Sequence, residues 1–237
     1  MRVLVTRPRP AAERTAPKLE AMGHQAVVLP LMQAHHFVAA LRTALDRPHE
    51  AIALTSAETV RVLAALGPAL GPHVATPLFC VGKATARAAA DLGFSDVRIG
   101  PGTGERLAET IAALIHPGDS KTLLYLTGSP RSDGLERALR DREIDHITVE
   151  CYRMMPVTYA PEVLSDLTRS GAFDAVLLYS RETARRLTAL LQESSIDPVA
   201  FSARYLCLSA SVKEVLPGGV AAKIAATPNE ESLFDLL

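Results

Sequence analysis

Hydrophobic and polar residues follow two recurring patterns along this chain. Short apolar runs predict buried strands, among them 3–5, 52–54, 123–126 and 175–178. Between these runs, apolar residues recur three and four positions apart, which predicts amphipathic helices. Strands that alternate with helices favour parallel sheets covered by helices on both faces. The predicted fold class is therefore α/β, with flavodoxin-like or Rossmann-like sheets.

The pattern occurs twice in the chain. Residues 122–153 (TLLYLTGSPRSDGLERALRDREIDHITVECYR) repeat the arrangement of residues 2–32 (RVLVTRPRPAAERTAPKLEAMGHQAVVLPLM), and three further pairs of segments follow in the same order. Matching positions are 121 to 127 residues apart, as for Thr6 with Thr127, Ser56 with Ser180, and Cys80 with Cys207. This internal duplication favours two domains, and we expect function to lie between the copies.

Composition narrows the class of protein. The 237 residues are 48% hydrophobic but only 5% aromatic, which suits parallel-sheet cores of Leu, Val, Ile and Ala. The formal net charge of −1 disfavours general binding to nucleic acid or to an anionic membrane. No apolar run is long enough to span a bilayer, and the amino terminus does not have the pattern of a signal peptide. We therefore expect a cytoplasmic protein.

Cysteine and histidine give no sign of a metal site. Cys80, Cys151 and Cys207 are an odd number of widely spaced residues, which is unlike a disulfide framework or a metal-ligand motif. Each lies in an apolar strand and is expected to be a small buried side chain. The pair His35–His36 has no acidic or cysteine partner at a useful sequence spacing, so we interpret it as a surface or linker pair.

The turns that follow predicted strands carry the candidate chemistry. In open parallel sheets, ligands bind beyond the carboxyl ends of the strands and near helix N-termini. Six such turns carry Ser or Thr: 6–8, 55–56, 82–85, 127–129, 179–180 and 209–211. Each hydroxyl alone could simply cap a helix. The six together favour a cleft that binds oxyanions.

Several cofactor and catalytic motifs are missing from the sequence. It contains neither a P-loop nor a glycine-rich dinucleotide fingerprint after the first strand, and neither H-E-x-x-H nor G-x-S-x-G. We therefore expect no cofactor and no metal. An enzyme of this kind would work by positioning a reactive substrate.

Six segments match a known family in order and spacing. They are VLVTRP at 3–8, LTSAETVR at 54–61, CVGKATA at 80–86, VECYR at 149–153, VLLYSRETAR at 176–185 and CLSASV at 207–212. Together they span nearly the whole chain, and they resemble the uroporphyrinogen-III synthases. The sequence departs from the family at Tyr179–Ser180, where Thr-Ser is common.

The resemblance implies two α/β domains joined by a two-stranded linker. One domain would be discontinuous, formed by residues 1–33 and 156–237, and the other would comprise residues 37–149. The linker strands would lie at 30–37 and 149–156. Two chain crossings of this kind imply hinge motion over a cleft.

The resemblance also implies an activity, that of a cyclising hydroxymethylbilane hydro-lyase in haem biosynthesis. The substrate is a linear tetrapyrrole with eight carboxylates. Loss of its terminal hydroxyl gives an azafulvene, and closure through a spiro-pyrrolenine inverts ring D to give uroporphyrinogen III. Tyr152 matches a tyrosine proposed as the acid for departure of the hydroxyl, although it could equally be a linker residue.

The candidate carboxylate contacts come from the turns after the strands. They are Arg7, Ser56, Thr85, Ser129, Ser180 and Ser209. Arg131 and Lys83 could add positive charge, but we interpret both as solvated surface residues. The expected assembly is a monomer with, at most, a transient contact to the preceding pathway enzyme. Two alternatives stay open at this point: a non-catalytic two-domain hinge protein that binds a small anion, and a transferase that uses a nucleotide sugar.

Overall fold

A computed structural model describes residues 1–116, 122–168 and 171–237. The chain forms two compact units. Unit 1 comprises Met1–Gln33 and Met155–Leu237, and unit 2 comprises Ala34–Met154. Each unit contains one sheet. No helix in the described ranges is long and apolar enough to cross a membrane.

Strands and helices alternate as the hydrophobic pattern predicts. The strands are β1 (Arg2–Val5), β2 (Gln25–Val28), β3 (Met32–His36), β4 (Ala51–Leu54), β5 (Leu78–Cys80), β6 (Val97–Ile99), β7 (Leu123–Ser129), β8 (His146–Pro156), β9 (Ala175–Leu178), β10 (Arg204–Cys207) and β11 (Ala222–Ile224). The helices are α1 (Arg9–Ala21), α2 (Val38–Leu45), α3 (Ala57–Ala64), α4 (Lys83–Asp91), α5 (Gly104–Ala112), α6 (Gly134–Arg140), α7 (Pro161–Thr168), α8 (Arg181–Glu193), α9 (Ala210–Lys213) and α10 (Glu230–Phe234), with a 3-10 helix at Gly67–His73.

The sheet of unit 1 joins the beginning of the chain to its second half. Its strand order is β11-β10-β9-β1-β2, and all of its pairings are parallel. Val3 lies opposite Ala175 on one side and Ala26 on the other. The sheet of unit 2 has the order β3-β8-β7-β4-β5-β6, and its pairings from β8 to β6 are parallel. These two sheets confirm the α/β class.

Strands β3 and β8 carry the chain from one unit to the other. They are neighbours in the second sheet, and both unit boundaries fall within them. The backbone N–H of Phe37 donates to the carbonyl of Cys151, and that of Val157 donates to the carbonyl of Leu31, each within its own unit. The two strands are therefore held together at both ends.

Both faces of each sheet are buried, as expected for parallel sheets covered by helices. On β1, Leu4 packs into one core of unit 1, while Val3 and Val5 pack into the core on the opposite face. All three are fully buried. Full burial of a side chain of this size typically contributes about 1.5–3 kcal/mol. This packing fixes the strand ends, and with them the turns that carry the candidate residues.

Candidate functional site

A pocket of about 410 Å³ opens in unit 2, where β4 and β7 end. We call it the Tyr152 pocket. Its lining is rich in hydroxyl groups and glycine, and comprises Thr55, Ser56, Val81, Gly102, Thr103, Gly104, Glu105, Tyr125, Thr127, Gly128, Pro130, Arg131, Ser132, Leu135 and Tyr152. The position agrees with the general rule that ligands of parallel sheets bind beyond the carboxyl ends of the strands.

Two helices begin at this pocket. Ser56 caps α3 by accepting a hydrogen bond from the backbone N–H of Glu58 at 3.1 Å. Thr103 caps α5 through the N–H of Arg106 at 3.4 Å. The first N–H groups of a helix have no partner within it and carry partial positive charge, so they favour a bound anion. The pocket therefore offers backbone donors from two helices.

A hydroxyl network lies beneath these helix starts. The phenol of Tyr125 is 3.0 Å from the hydroxyl of Thr55, and it accepts a hydrogen bond from Thr127 at 3.0 Å. Tyr125 is only 1% exposed, so burial of its polar group requires such partners. The network connects the ends of β4 and β7 and holds the floor of the pocket in place.

An irregularity in β8 sets the direction of Tyr152. Thr127 pairs with Glu150 but the next residue, Gly128, pairs with Tyr152, so Cys151 is an extra residue in β8. A bulge of this kind redirects the side chains that follow it. Cys151 and Tyr152, although adjacent in sequence, consequently pack against the same core. The ring of Tyr152 thus reaches the pocket instead of the opposite face.

Burial raises the pKa of the Tyr152 phenol above its usual value, while a hydrogen bond with Ser56 acts in the opposite direction. Nearby Glu58 adds to the increase. The phenol is therefore protonated throughout the neutral pH range. A protonated phenol that faces a pocket can donate a hydrogen bond or a proton to a bound group.

Arg131 supplies positive charge at the rim of the Tyr152 pocket. Its guanidinium donates two hydrogen bonds to the carboxylate of Glu136, at 3.2 and 3.0 Å. The hydrogen bond from Arg131 lowers the pKa of Glu136, against the effect of burial. The fork is thus held in one orientation by a carboxylate while it lines the pocket.

Unit 1 has a pocket of about 370 Å³ of its own, which we call the Arg7 pocket. It is lined by Arg7, Arg14, Lys18, Tyr179, Leu208, Pro228, Asn229 and Glu230. Arg7 donates to the Glu230 carboxylate at 2.7 Å, and its guanidinium carbon lies 4.0 Å from the ring centroid of Tyr179. Glu230 also accepts hydrogen bonds from Thr15 at 2.6 Å and Lys18 at 2.5 Å. An internal carboxylate therefore engages Nη1 of Arg7.

Comparison with known proteins decides the family. The family model "Uroporphyrinogen-III synthase HemD" matches residues 13–235, which is most of the chain. The chain belongs to the uroporphyrinogen-III synthase family. The resemblance stated from six sequence segments is confirmed.

Solved structures of uroporphyrinogen-III synthases share this fold. The enzyme of Helicobacter pylori superposes with a TM-score of 0.70 at 17% identity, covering 100% of this chain and 98% of the other. A mutant enzyme of the extremely thermophilic bacterium Thermus thermophilus gives 0.57 at 19% identity, covering 99% and 96%. No curated protein sequence matches this chain.

The structure separates the candidate residues of this family member. Ser56 and Tyr152 line the Tyr152 pocket, whereas Arg7 lines the Arg7 pocket. Thr85 is a buried residue of α4, 5% exposed, and is outside the described lining of the Tyr152 pocket. Ser129 is the last residue of β7, beside that pocket but outside its described lining.

The other two serine candidates lie at helix starts in unit 1. Ser180 caps α8 by accepting from the N–H of Thr183 at 3.2 Å. Ser209 precedes α9, and its hydroxyl lies 2.9 Å from that of Ser211. Ser180 therefore caps a helix, which is the simpler of the two interpretations of these turn hydroxyls.

Several residues of the two pockets were not singled out from the sequence. Tyr125 lies within an apolar strand, where its ring predicts only core packing. Thr103 follows a Gly/Pro loop, and Glu230 precedes an apolar turn near the carboxyl terminus. The duplication offered a signal, because Thr103 and Glu230 lie in its fourth, weaker pair of segments, IGPGTGERLAETI from Ile99 and IAATPNEESLFDLL from Ile224. The interpretation of Arg131 as a solvated surface residue is incomplete, since this residue also lines the Tyr152 pocket.

His36 does have an acidic partner, although the partner is distant in sequence. Its Nε2 lies 2.8 Å from Oε1 of Glu58, and Arg61 pairs with the same carboxylate. Glu58 is the residue whose N–H binds Ser56. Among the described residues, no group of three or more His, Cys, Asp or Glu side chains could hold a metal ion.

The three cysteines are expected to be unreactive in the folded protein. All are free and buried, and burial raises the pKa of Cys80 and Cys151 to about 12 and that of Cys207 to about 11. Because the thiolate is the reactive form, Ellman's reagent should label native protein slowly and denatured protein completely. Rapid labelling of all three thiols before unfolding would contradict this burial.

Proposed function

We propose that this protein cyclises hydroxymethylbilane with inversion of ring D and releases uroporphyrinogen III, as a lyase of haem biosynthesis. Membership of the uroporphyrinogen-III synthase family carries the proposal. The chemistry of the Tyr152 pocket supports it, because a polycarboxylate substrate requires anion donors. The family membership favours this enzyme over a non-catalytic anion-binding protein and over a nucleotide-sugar transferase.

The helix starts of the Tyr152 pocket would hold substrate carboxylates. The first N–H groups of α3 and α5 supply donors without a mobile side chain, and Arg131, whose Nε and Nη2 are paired with Glu136, lies at the rim. Fixed donors of this kind select one orientation of a flexible chain. Orientation is the essential task here, because the free bilane closes unaided to the uninverted isomer.

Tyr152 would act as the acid in the first step. Its phenolic proton passes to the terminal hydroxyl as the C–O bond breaks, and the oxygen leaves as water. The electron pair of the adjacent pyrrole nitrogen forms the azafulvene double bond. Attack by the substituted carbon of ring D on the azafulvene methylene then gives the spiro-pyrrolenine. The bond from this carbon to its original bridging methylene breaks, and that methylene bonds to the free α carbon of ring D, which inverts the ring. The hydrogen lost from this α carbon returns to the phenolate, so the proton balance closes without a cofactor.

We extend the proposal to assembly and location, on the support of the family resemblance alone. The protein would act in the cytoplasm as a monomer, with a transient contact to the enzyme that supplies the bilane. Light scattering, with and without that enzyme, tests the assembly. A stable dimer would contradict it.

The activity test uses freshly generated hydroxymethylbilane and purified protein in the presence of a metal chelator. The products are oxidised and resolved by chromatography into isomers I and III. We expect isomer III to predominate. Isomer I alone, at stoichiometric protein, would overturn the proposed function, while slowed closure to isomer I would identify a binding protein.

A further inference from the structure

Gly128 is the residue of β7 that lies directly beside Tyr152. The bulge in β8 brings the two into register, and Gly128 is buried there. A Cβ atom added to Gly128 would meet Cζ, Cε1 and Cε2 of the Tyr152 ring at less than 3.0 Å. Real Cβ atoms do not approach other atoms so closely. The ring therefore lies flat over the space that a side chain at position 128 would occupy.

The backbone alone does not require glycine at position 128. Gly128 is not among the residues with positive φ, whereas Gly102, in the loop before α5, has a φ of 103°. An alanine could thus adopt the backbone conformation of residue 128 without strain. The three atoms nearest to its Cβ atom would all belong to the ring of Tyr152.

The neighbours of other glycines near the pocket differ: a Cβ on Gly104 would meet the backbone nitrogen of Leu135 at 2.8 Å, whereas Gly134 has a softer neighbour. A Cβ on Gly134 would meet the carboxylate of Glu105, which is the end of a flexible, exposed side chain. The ring of Tyr152 cannot yield in the same way. It packs against the core of unit 2, and its neighbours in β8 are held by the ladder to β7. A methyl group at position 128 must move the ring as a whole.

We propose that Gly128 is a positioning residue for the reaction: its missing side chain seats the Tyr152 ring so that the phenol points into the pocket beside Ser56. The proposal deepens the proposed function and rests on it for the catalytic role of Tyr152. The contact between Gly128 and the Tyr152 ring is a property of the fold, and it can be tested without substrate.

The first test compares Gly128→Ala with Gly71→Ala. Gly71 lies in the 3-10 helix of unit 2, and a Cβ there meets nothing within 4 Å. Tyrosines labelled with ¹³C at Cζ give one signal for each ring, and Tyr152→Phe identifies the signal of Tyr152. We expect Gly128→Ala to shift that signal and Gly71→Ala to leave it in place. An unchanged Tyr152 signal in folded Gly128→Ala would contradict the proposal that Gly128 positions the ring.

The second test measures catalysis. A displacement of a catalytic group by about 1 Å can cost about 10²-fold in rate, so kcat of Gly128→Ala should fall by about that factor with little change in KM. In the Tyr152→Phe background the same substitution should cost almost nothing further. Equal losses in both backgrounds would show that Gly128 acts independently of the phenol, which contradicts the proposal.

A third variant covers the case in which Gly128→Ala does not fold. Tyr152→Ala removes the ring, so the double variant Gly128→Ala/Tyr152→Ala should be about as stable as Tyr152→Ala alone. If Tyr152→Ala folds and the double variant does not, position 128 requires glycine for a reason other than the Tyr152 ring, which contradicts the proposal. If the wild type makes no isomer III, the proposed function fails, but the signal shift and the stability comparison still decide the role of Gly128.

Discussion

Replacing Tyr152 by Phe is expected to lower turnover by about 10²- to 10⁴-fold, the usual contribution of a general acid. The substitution keeps the ring that packs on Gly128 and against the unit 2 core, and it removes only the phenolic O–H. Burial keeps the pKa of that group high, so the wild-type phenol carries its proton at neutral pH. The rate of isomer III formation under single-turnover conditions measures the loss.

Comparison variants separate this role from simple structural damage. Ser56→Ala, Thr85→Ala and Ser180→Ala should each lower turnover less than Tyr152→Phe, because backbone donors carry much of the substrate binding. The loss of a helix cap, as in Ser56→Ala or Ser180→Ala, costs about 1 kcal/mol of stability, so rates must be compared on folded protein. A Tyr152→Phe enzyme as fast as the wild type would reduce Tyr152 to a linker residue.

Replacing Glu230 by Gln is expected to lower the free energy of unfolding by about 2–3 kcal/mol at pH 7. The Glu230 side chain is 18% exposed and joins α10 to α1 and to the turn after β1. The bond from Lys18, whose side chain is 59% exposed, is partly screened by water, whereas the bonds from Arg7 and Thr15 are more shielded. Urea unfolding measures the difference.

The contribution of Glu230 should also depend on pH. Burial raises the pKa of Glu230 and is the largest single influence, but hydrogen bonds from Lys18, Thr15 and Tyr179 together outweigh it. The pKa is therefore lower in the folded state than in the unfolded chain. A lowered folded pKa gives stability that is present above about pH 4.5 and is lost as the pH falls further.

A matched control is Glu182→Gln, which breaks the exposed pair with Arg185. Exposed pairs contribute roughly 0–1 kcal/mol, so this variant should unfold nearly as the wild type does. The gap between wild type and Glu230→Gln should stay constant from pH 7 down to about pH 4.5 and narrow as the pH falls below that. If both variants differ from the wild type by the same small free energy of unfolding at pH 7, the bonds to Glu230 are not shielded from water as we infer.

The sheets could be predicted from sequence because their signal is local. Apolar runs such as 3–5 and 175–178 mark strands buried on both faces, and both are fully buried in the parallel sheet of unit 1. The alternation with helices then fixes the α/β class. The duplication also marked the turns between strands and helices as candidate binding sites. Ser56 lies in one of these turns and lines the Tyr152 pocket.

The details of the pockets could not be predicted, since they depend on contacts between distant segments. Arg7 and Glu230 are 223 positions apart, and no spacing rule connects them. The contact of the Tyr152 ring with Gly128 depends on a bulge of one residue in β8. This bulge shifts the register without leaving a pattern in the sequence. His36 similarly finds Glu58 only because β3 and α3 lie close together in the fold.

We infer that the helix starts of the Tyr152 pocket bind the carboxylates of the tetrapyrrole. The most direct measurement follows the ¹⁵N amide signals of the folded protein during anaerobic titration with uroporphyrinogen III. We expect the largest shifts at Ala57 and Gly104, the first residues of α3 and α5, together with Tyr152. Saturable binding that leaves these three amides unchanged would contradict it.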